Sequence, residues 1–197
     1  MKSREWREFL EAEKRLHGKT LFTVTELANV AGASREALNV ELSRLRRQGV
    51  IVRYAQGQYG LAGAVTLEAL LRAIDSHAYM TGLHALHAHN LVTQVPATIT
   101  CFTDRRSPRA RIRRTPLGRF VFSCVRSRVY CPPGGGVLAK PEQALCDFVY
   151  LCRRQRVPAE GQVSFRGLRR LRKARLSGIL KRYPATVQEE VRRLLGR

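Results

Sequence analysis

The residue types best suited to chemistry lie between positions 34 and 58. Leu38, Leu42 and Leu45 recur at i, i+4 and i+7, so a helix over Arg35 to about Gln48 turns them inward. Its other faces then carry Arg35, Asn39, Ser43, Arg46 and Arg47. An arginine fork matches the O6 and N7 edge of guanine, and an asparagine amide matches adenine. Serine and the remaining arginines suit phosphate oxygens. A helix docked in a major groove brings its N-terminal residues nearest the bases. Arg35 and Asn39 are therefore read as base contacts beside the cap residue Ser34, with Ser43, Arg46 and Arg47 as phosphate contacts. Arg53, Gln56 and Gln58 lie on a hairpin that follows, placed to run along the backbone or minor groove.

A second set is purely cationic: Arg105, Arg106, Arg109, Arg111, Arg113 and Arg114, with no Asp or Glu anywhere from 105 to 141. Such a run repels itself unless an anion lies nearby, which points to a second nucleic-acid contact, on flanking DNA or on RNA. The blander alternative is a solvated surface rich in arginine.

Other chemistries find little support. The five cysteines (Cys101, Cys124, Cys131, Cys146, Cys152) contain no CxxC pair and read as reduced, mostly buried thiols. His84, His87 and His89 stand at i, i+3 and i+5, a spacing that brings only the first two near one helix face. Gly134-Gly135-Gly136 lacks the Lys-Ser/Thr of a phosphate loop. Glu142 and Asp147 fall in the first turns of a helix, where carboxylates complement the dipole. The region after residue 62 has eight acidic residues and no carboxylate cluster with metal-ligand spacing, which argues against a nuclease. No catalytic residue, metal or cofactor is expected, and the chain does not read as an enzyme.

The elements that position these residues follow from punctuation. Trp6, Phe9 and Leu10 pattern a charged helix over 3–17. Thr23-Val24-Thr25-Glu26 is a capping box opening a second helix that Gly32 ends. Ser34 caps the third, which Gly49 closes. Val50–Tyr54 and Tyr59–Leu61 then read as a hairpin around Gly57. Three helices and a hairpin make a winged helix-turn-helix. Beyond 62, helices are expected from about Thr66, over Ala78–His89, from Pro141, over Phe165–Lys181 and over Val187–Leu195. Strands are expected at 98–103, 111–113, 120–125 and 137–139. The fold class is α+β, with a winged helix-turn-helix domain over 1–62 and a mixed α+β domain with a basic helical tail over 63–197.

Length, charge and hydropathy agree with this plan. The 197 residues are 44% hydrophobic, enough for a packed core. Net charge is +21, and it is uneven. Residues 1–62 carry 11 basic and 7 acidic side chains, the remainder 25 and 8. A polyanion is the natural partner. No apolar run is long enough for a membrane span and the N-terminus is too charged for a secretory signal, so a cytoplasmic protein without membrane contact is expected.

Motifs beyond residue 62 carry a resemblance. Tyr79-Met80-Thr81-Gly82 with Ala85-Leu86 and His89-Asn90-Leu91, then Gln94-Val95-Pro96, then Thr115-Pro116-Leu117-Gly118-Arg119-Phe120, then Lys140-Pro141-Glu142-Gln143-Ala144-Leu145-Cys146-Asp147, occur in that order behind the winged helix. Over about 20–152 the chain resembles the AbiEi family of antitoxins. It departs from that pattern at Asn90, Gln143 and Cys146, where Gly, Lys and Leu are usual. The resemblance implies a transcriptional autorepressor that binds inverted repeats upstream of its own operon. It also implies an antitoxin of a type IV toxin–antitoxin system associated with phage defence. The functional partner implied is a nucleotidyltransferase-like toxin, without need of a stable complex. A competing reading is an interaction protein whose basic C-terminal domain neutralises the toxin or binds its RNA substrate, with DNA binding secondary. Another is a winged helix that only packs against a protein.

Overall fold

A computed structural model describes residues 2–106 and 111–196, and the chain divides into two compact units. The first takes in residues 1–76 with Thr115–Leu117, the second His77–Arg114 and residues 118–197. The sequence reading draws its boundary after 62, whereas the first unit continues through one further helix.

In the first unit, α1 (Ser3–His17) ends at Gly18 in the left-handed conformation and buries Trp6 and Leu10. β1 (Phe22–Thr23) leads into α2 (Val24–Ala31). The capping box is formed: Glu26 N donates to Thr23 Oγ1 at 3.1 Å, and Thr23 N donates to Glu26 Oε2 at 2.8 Å. Lys19 pairs with Glu26 at 2.7 Å and holds its carboxyl below the usual range. After Gly32, also left-handed, comes α3 (Arg35–Arg47), capped by Ser34 Oγ, which accepts from Ala37 N at 3.3 Å. β2 (Ile51–Ala55) and β3 (Gln58–Leu61) form an antiparallel hairpin with Gly57 at φ +71°. β3 also pairs with β1, giving the sheet order β1-β3-β2. The order helix, strand, two helices, hairpin is that of a winged helix-turn-helix. Leu38, Leu42 and Leu45 of α3 pack with Trp6, Leu10, Phe22, Leu27, Ile51 and Tyr59 in a single core. Gly60 is required where it sits, because a Cβ there would strike the Thr20 carbonyl and the Val65 side chain. α4 (Leu67–Ile74), capped by Thr66, closes the unit.

The second unit is built on a four-stranded sheet of order β4-β5-β7-β6, made from β4 (Tyr79–Met80), β5 (Ile99–Thr103), β6 (Ile112–Thr115) and β7 (Gly118–Cys124). β5 and β7 run parallel, with Ile99 opposite Phe120, and β4 runs antiparallel to β5. α5 (Gly82–Ala88), α6 (Pro141–Arg154), α7 (Lys173–Leu180) and α8 (Ala185–Leu195) complete it. α6 is the central element. Residues Glu142 to Val149 are all buried, and the core around them includes Tyr79, Leu86, Phe102, Leu145, Tyr183 and Val191. The whole is α+β.

Three expectations are corrected. The helix expected over 78–89 begins only at Gly82, because Tyr79 and Met80 pair with Phe102 and Cys101 in a ladder. Residues 137–139 make a single bridge to Met80 rather than a strand, through Met80 N to Val137 O at 2.6 Å and Ala139 N to Met80 O at 2.8 Å. The helical pattern over 165–181 is broken by Gly167 at φ +66°. A short 3-10 turn follows over Leu168–Arg170, and α7 starts at Lys173. Among the described residues, no helix is long and apolar enough to cross a membrane.

Candidate nucleic-acid interface

α3 is pinned on one side and open on the other. Leu38 and Leu45 are fully buried and Leu42 nearly so, while Arg35, Asn39, Ser43, Arg46 and Arg47 are all exposed. With about 3.6 residues per turn the exposed set fans from the flank of the leucine stripe, at Arg35, Arg46 and Asn39, round to its far side, at Ser43 and Arg47. Ser34 is exposed at the start of the helix, its hydroxyl committed to the cap. Arg44 is held back by Glu41 at 3.3 Å. On the hairpin Arg53 and Gln56 are exposed, and Gln58 is half-buried where β3 pairs with both neighbours.

Sequence reasoning missed Val40. It is 73% exposed on α3, between the positions of Asn39 and Ser43. An exposed valine has no stabilising role there, and its signal was available: position 40 falls outside the 38-42-45 stripe. An aliphatic side chain on a groove-facing helix suits the thymine methyl group. Glu36 is also exposed in the first turn and would repel a phosphate placed close to it.

In the second unit, Arg105 and Arg106 are exposed just beyond β5. Arg111 precedes β6, its Nε donating to the Phe122 carbonyl at 3.4 Å, and Arg113 and Arg114 lie within β6. Arg111 and Arg114 are exposed and Arg113 is half-buried. Arg109 lies outside the described residues. β6 ends the sheet order, so its arginines also do what charge on an edge strand does, discouraging pairing with another chain.

The carboxylates of α6 are internal fasteners. Asp147 is fully buried and accepts from Thr81 Oγ1 at 2.6 Å, Tyr183 OH at 2.5 Å and Tyr79 OH at 3.3 Å. These contacts tie β4, the start of α5 and the segment after α7 to α6. Burial pushes the Asp147 carboxyl up to about 7 against the pull of its three hydroxyl donors. Glu142 Oε1 accepts from Arg172 N at 2.9 Å, and Gln143 donates to the Cys131 carbonyl. Glu190 of α8 accepts from Ala159 N at 2.9 Å. None of these groups faces solvent, so they hold the fold together. Tyr79, Leu86 and Leu145 are core residues, and Asn90 takes the left-handed conformation at φ 56°.

Among the described residues no group of three or more His, Cys, Asp or Glu is placed to hold a metal ion. His89 contacts the Ala139 carbonyl at 2.8 Å, and burial lowers the pKa of His84. The cysteines are free thiols, Cys101, Cys146 and Cys152 buried, Cys131 partly so and Cys124 exposed.

Comparison with known proteins places the first unit. Residues 11–62 match a family model described as transcriptional regulator, AbiEi antitoxin. No curated protein matches the chain. The matched segment begins within α1 and ends just after β3, enclosing the helix-turn-helix and its hairpin. Over residues 11–62 the chain is similar to the regulator segment of the AbiEi antitoxin family.

Proposed function

We propose that the chain is a sequence-specific DNA-binding autorepressor and an antitoxin of a type IV toxin–antitoxin system, acting on inverted repeats upstream of its own operon. The observation that carries this reading is the exposed side of α3. Arg35 and Asn39 stand at its N-terminal end, Arg46 and Arg47 at its C-terminal end, and a buried leucine stripe lies behind them. In the docked state Arg35 and Asn39 read base edges beside Ser34. Ser43, Arg46, Arg47 and Arg53 contact phosphates, and Gln56 and Gln58 follow the backbone or minor groove. The match of this segment to a transcriptional regulator family supports the same reading.

Autorepression is tested with a reporter fused to the chain's own upstream region. The native protein is expected to silence it, and the Arg35→Ala/Asn39→Ala variant to restore expression. A reporter indifferent to both would overturn the proposal. Antitoxicity is tested by co-expression with a neighbouring nucleotidyltransferase-like toxin, where rescue of growth is expected and continued arrest would contradict it. No stable complex is required.

The arginines Arg105, Arg106, Arg109, Arg111, Arg113 and Arg114 are read as a second nucleic-acid contact. Their concentration of charge also favours a second reading, in which the basic second unit acts on the toxin or its RNA substrate and DNA binding is secondary. Replacing Arg105, Arg106, Arg109 and Arg111 by alanine is expected to weaken binding and flatten its salt dependence. Unchanged affinity and slope would reject that contact.

A further inference from the structure

The second unit contains a groove of about 890 Å³ that shares only Arg106 with the nucleic-acid contacts proposed above, and five arginines among the described residues line it: Arg106, Arg126, Arg128, Arg154 and Arg182. Its position is set by topology. β5 and β7 are adjacent parallel strands, and Arg106 follows the end of β5 while Arg126 and Arg128 follow the end of β7. Arg154 comes from the last turn of α6, and Arg182 from the segment after α7. The crevice beyond the carboxyl ends of parallel strands is where open sheets receive ligands.

The walls are built. Arg126 O accepts from both Val129 N and Tyr130 N at 2.9 Å, so a tight turn presents Arg126 and Arg128. Arg128 donates to Lys181 O at 3.1 Å, and Arg182 donates back to Tyr130 O at 2.7 Å, lacing the two sides together. Arg154 is held over the Tyr150 ring at 5.7 Å. The side-chain partners of Arg128, Arg154 and Arg182 are carbonyls and a ring. Elsewhere in the unit arginines meet carboxylates, as in Arg153 with Glu190, Arg193 with Glu160 and Arg175 with Glu142. Among the described residues one acidic side chain lines the groove, Asp104, and it is engaged by His77 at 3.1 Å. Arg182 Nε is buried without an acceptor among the described residues. Guanidiniums collected in a concave site, with donors left over, call for an anion.

The geometry points to a phosphate-binding groove that takes the phosphate chain of a nucleotide, free or at the end of a single strand. A guanidinium fork grips phosphate oxygens two at a time, and a cavity of this volume is that of a small-molecule site. The site lies wholly in the second unit and does not depend on α3.

Calorimetric titration of the full chain tests it, with three probes: ATP, and a short oligouridylate with or without a 5′-phosphate. Saturable binding is expected for ATP or for the 5′-phosphorylated strand, weakening as salt rises. ATP alone identifies a free nucleotide, and the phosphorylated strand alone identifies a strand end. Arg126, exposed and outside the α3 interface, is the residue to vary. Arg126→Glu is expected to weaken binding roughly tenfold or more. Arg126→Gln should weaken it less, and Arg126→Lys should retain most of it. Arg166→Glu, the same charge reversal at an exposed site off the groove, should leave it unchanged. Absence of saturable binding by all three probes would overturn the proposal. So would equal binding of the two oligouridylates with none of ATP, or equal loss in Arg126→Glu and Arg166→Glu. Duplex DNA binding is measured on the same samples, so failure of this site and failure of the DNA reading are separable.

Discussion

Within one turn of α3, Ser34, Arg35 and Leu38 carry three different duties, and substitutions separate them. Ser34 caps the helix, so Ser34→Ala is expected to cost about 1 kcal/mol of stability. Leu38 is fully buried, and Leu38→Ala should cost roughly 2–5 kcal/mol, since a cavity is left among Trp6, Leu27 and Leu42. Arg35 is exposed, so Arg35→Ala should leave the thermal midpoint nearly unchanged while abolishing sequence preference. Chemical denaturation alongside a binding titration checks all three. A destabilised Arg35→Ala, or a stable Leu38→Ala, would contradict this division. Gly60→Ala belongs to the same scale. Its new methyl meets backbone on one side and Val65 on the other, and a loss of about 1–3 kcal/mol is expected. Much of this was legible in the sequence, because capping residues and a 3.6-residue leucine stripe act locally. Val40 is not among the residues read from the sequence, although its position off the leucine stripe marks it as exposed.

At the scale of elements, local pattern and long-range pairing compete, and the second unit records where pairing wins. Tyr79 and Met80 continue a helical pattern in sequence, yet they form β4 because Cys101 and Phe102 offer ladder partners. The pattern over 165–181 fails at Gly167, and Glu142 receives the Arg172 N–H just before α7 begins. α6 was legible from Pro141 and its apolar run, but the role of Asp147 was not. Its three hydroxyl partners lie 66, 68 and 36 residues away. That buried cluster predicts a pH signature. With its folded pKa raised to about 7 and an ordinary value near 3.8 when unfolded, Asp147 contributes stability fully below the unfolded value. The contribution is lost progressively as pH rises through that interval to the folded pKa. Thermal melts of the native chain and Asp147→Asn should therefore shift in the variant's favour between pH 5 and pH 8, on the order of one unit of pKa linkage per pH unit below 7. A constant offset between the two would contradict the assignment.

Across the whole molecule the net charge of +21 is distributed as separate sets, to which the proposed contacts assign separate tasks. The exposed side of α3 carries few charges but orders them, with the candidate base contacts at one end and phosphate contacts at the other. The second unit carries most of the excess, part of it on the edge strand β6 and part in the groove beyond β5 and β7. The α3 set could be found in the sequence because its members fall within thirteen residues. The groove could not, because Arg106, Arg126, Arg154 and Arg182 meet only through the sheet topology. The two kinds of site respond differently to salt and to sequence. Contacts to phosphate alone weaken with salt on every DNA, whereas base contacts keep a preference at any salt.

The decisive measurement is the affinity of the purified chain for its own upstream DNA against a scrambled duplex, across a salt series, for the native protein, Arg35→Ala/Asn39→Ala and Arg46→Ala/Arg47→Ala. The native chain should prefer its own sequence, with a log–log salt slope of roughly −0.9 per phosphate contacted. Arg35→Ala/Asn39→Ala should erase the preference and keep most of the slope. Arg46→Ala/Arg47→Ala should weaken both duplexes alike and flatten the slope by about two contacts. Equal affinity of the native chain for both duplexes at every salt concentration would contradict sequence reading by α3.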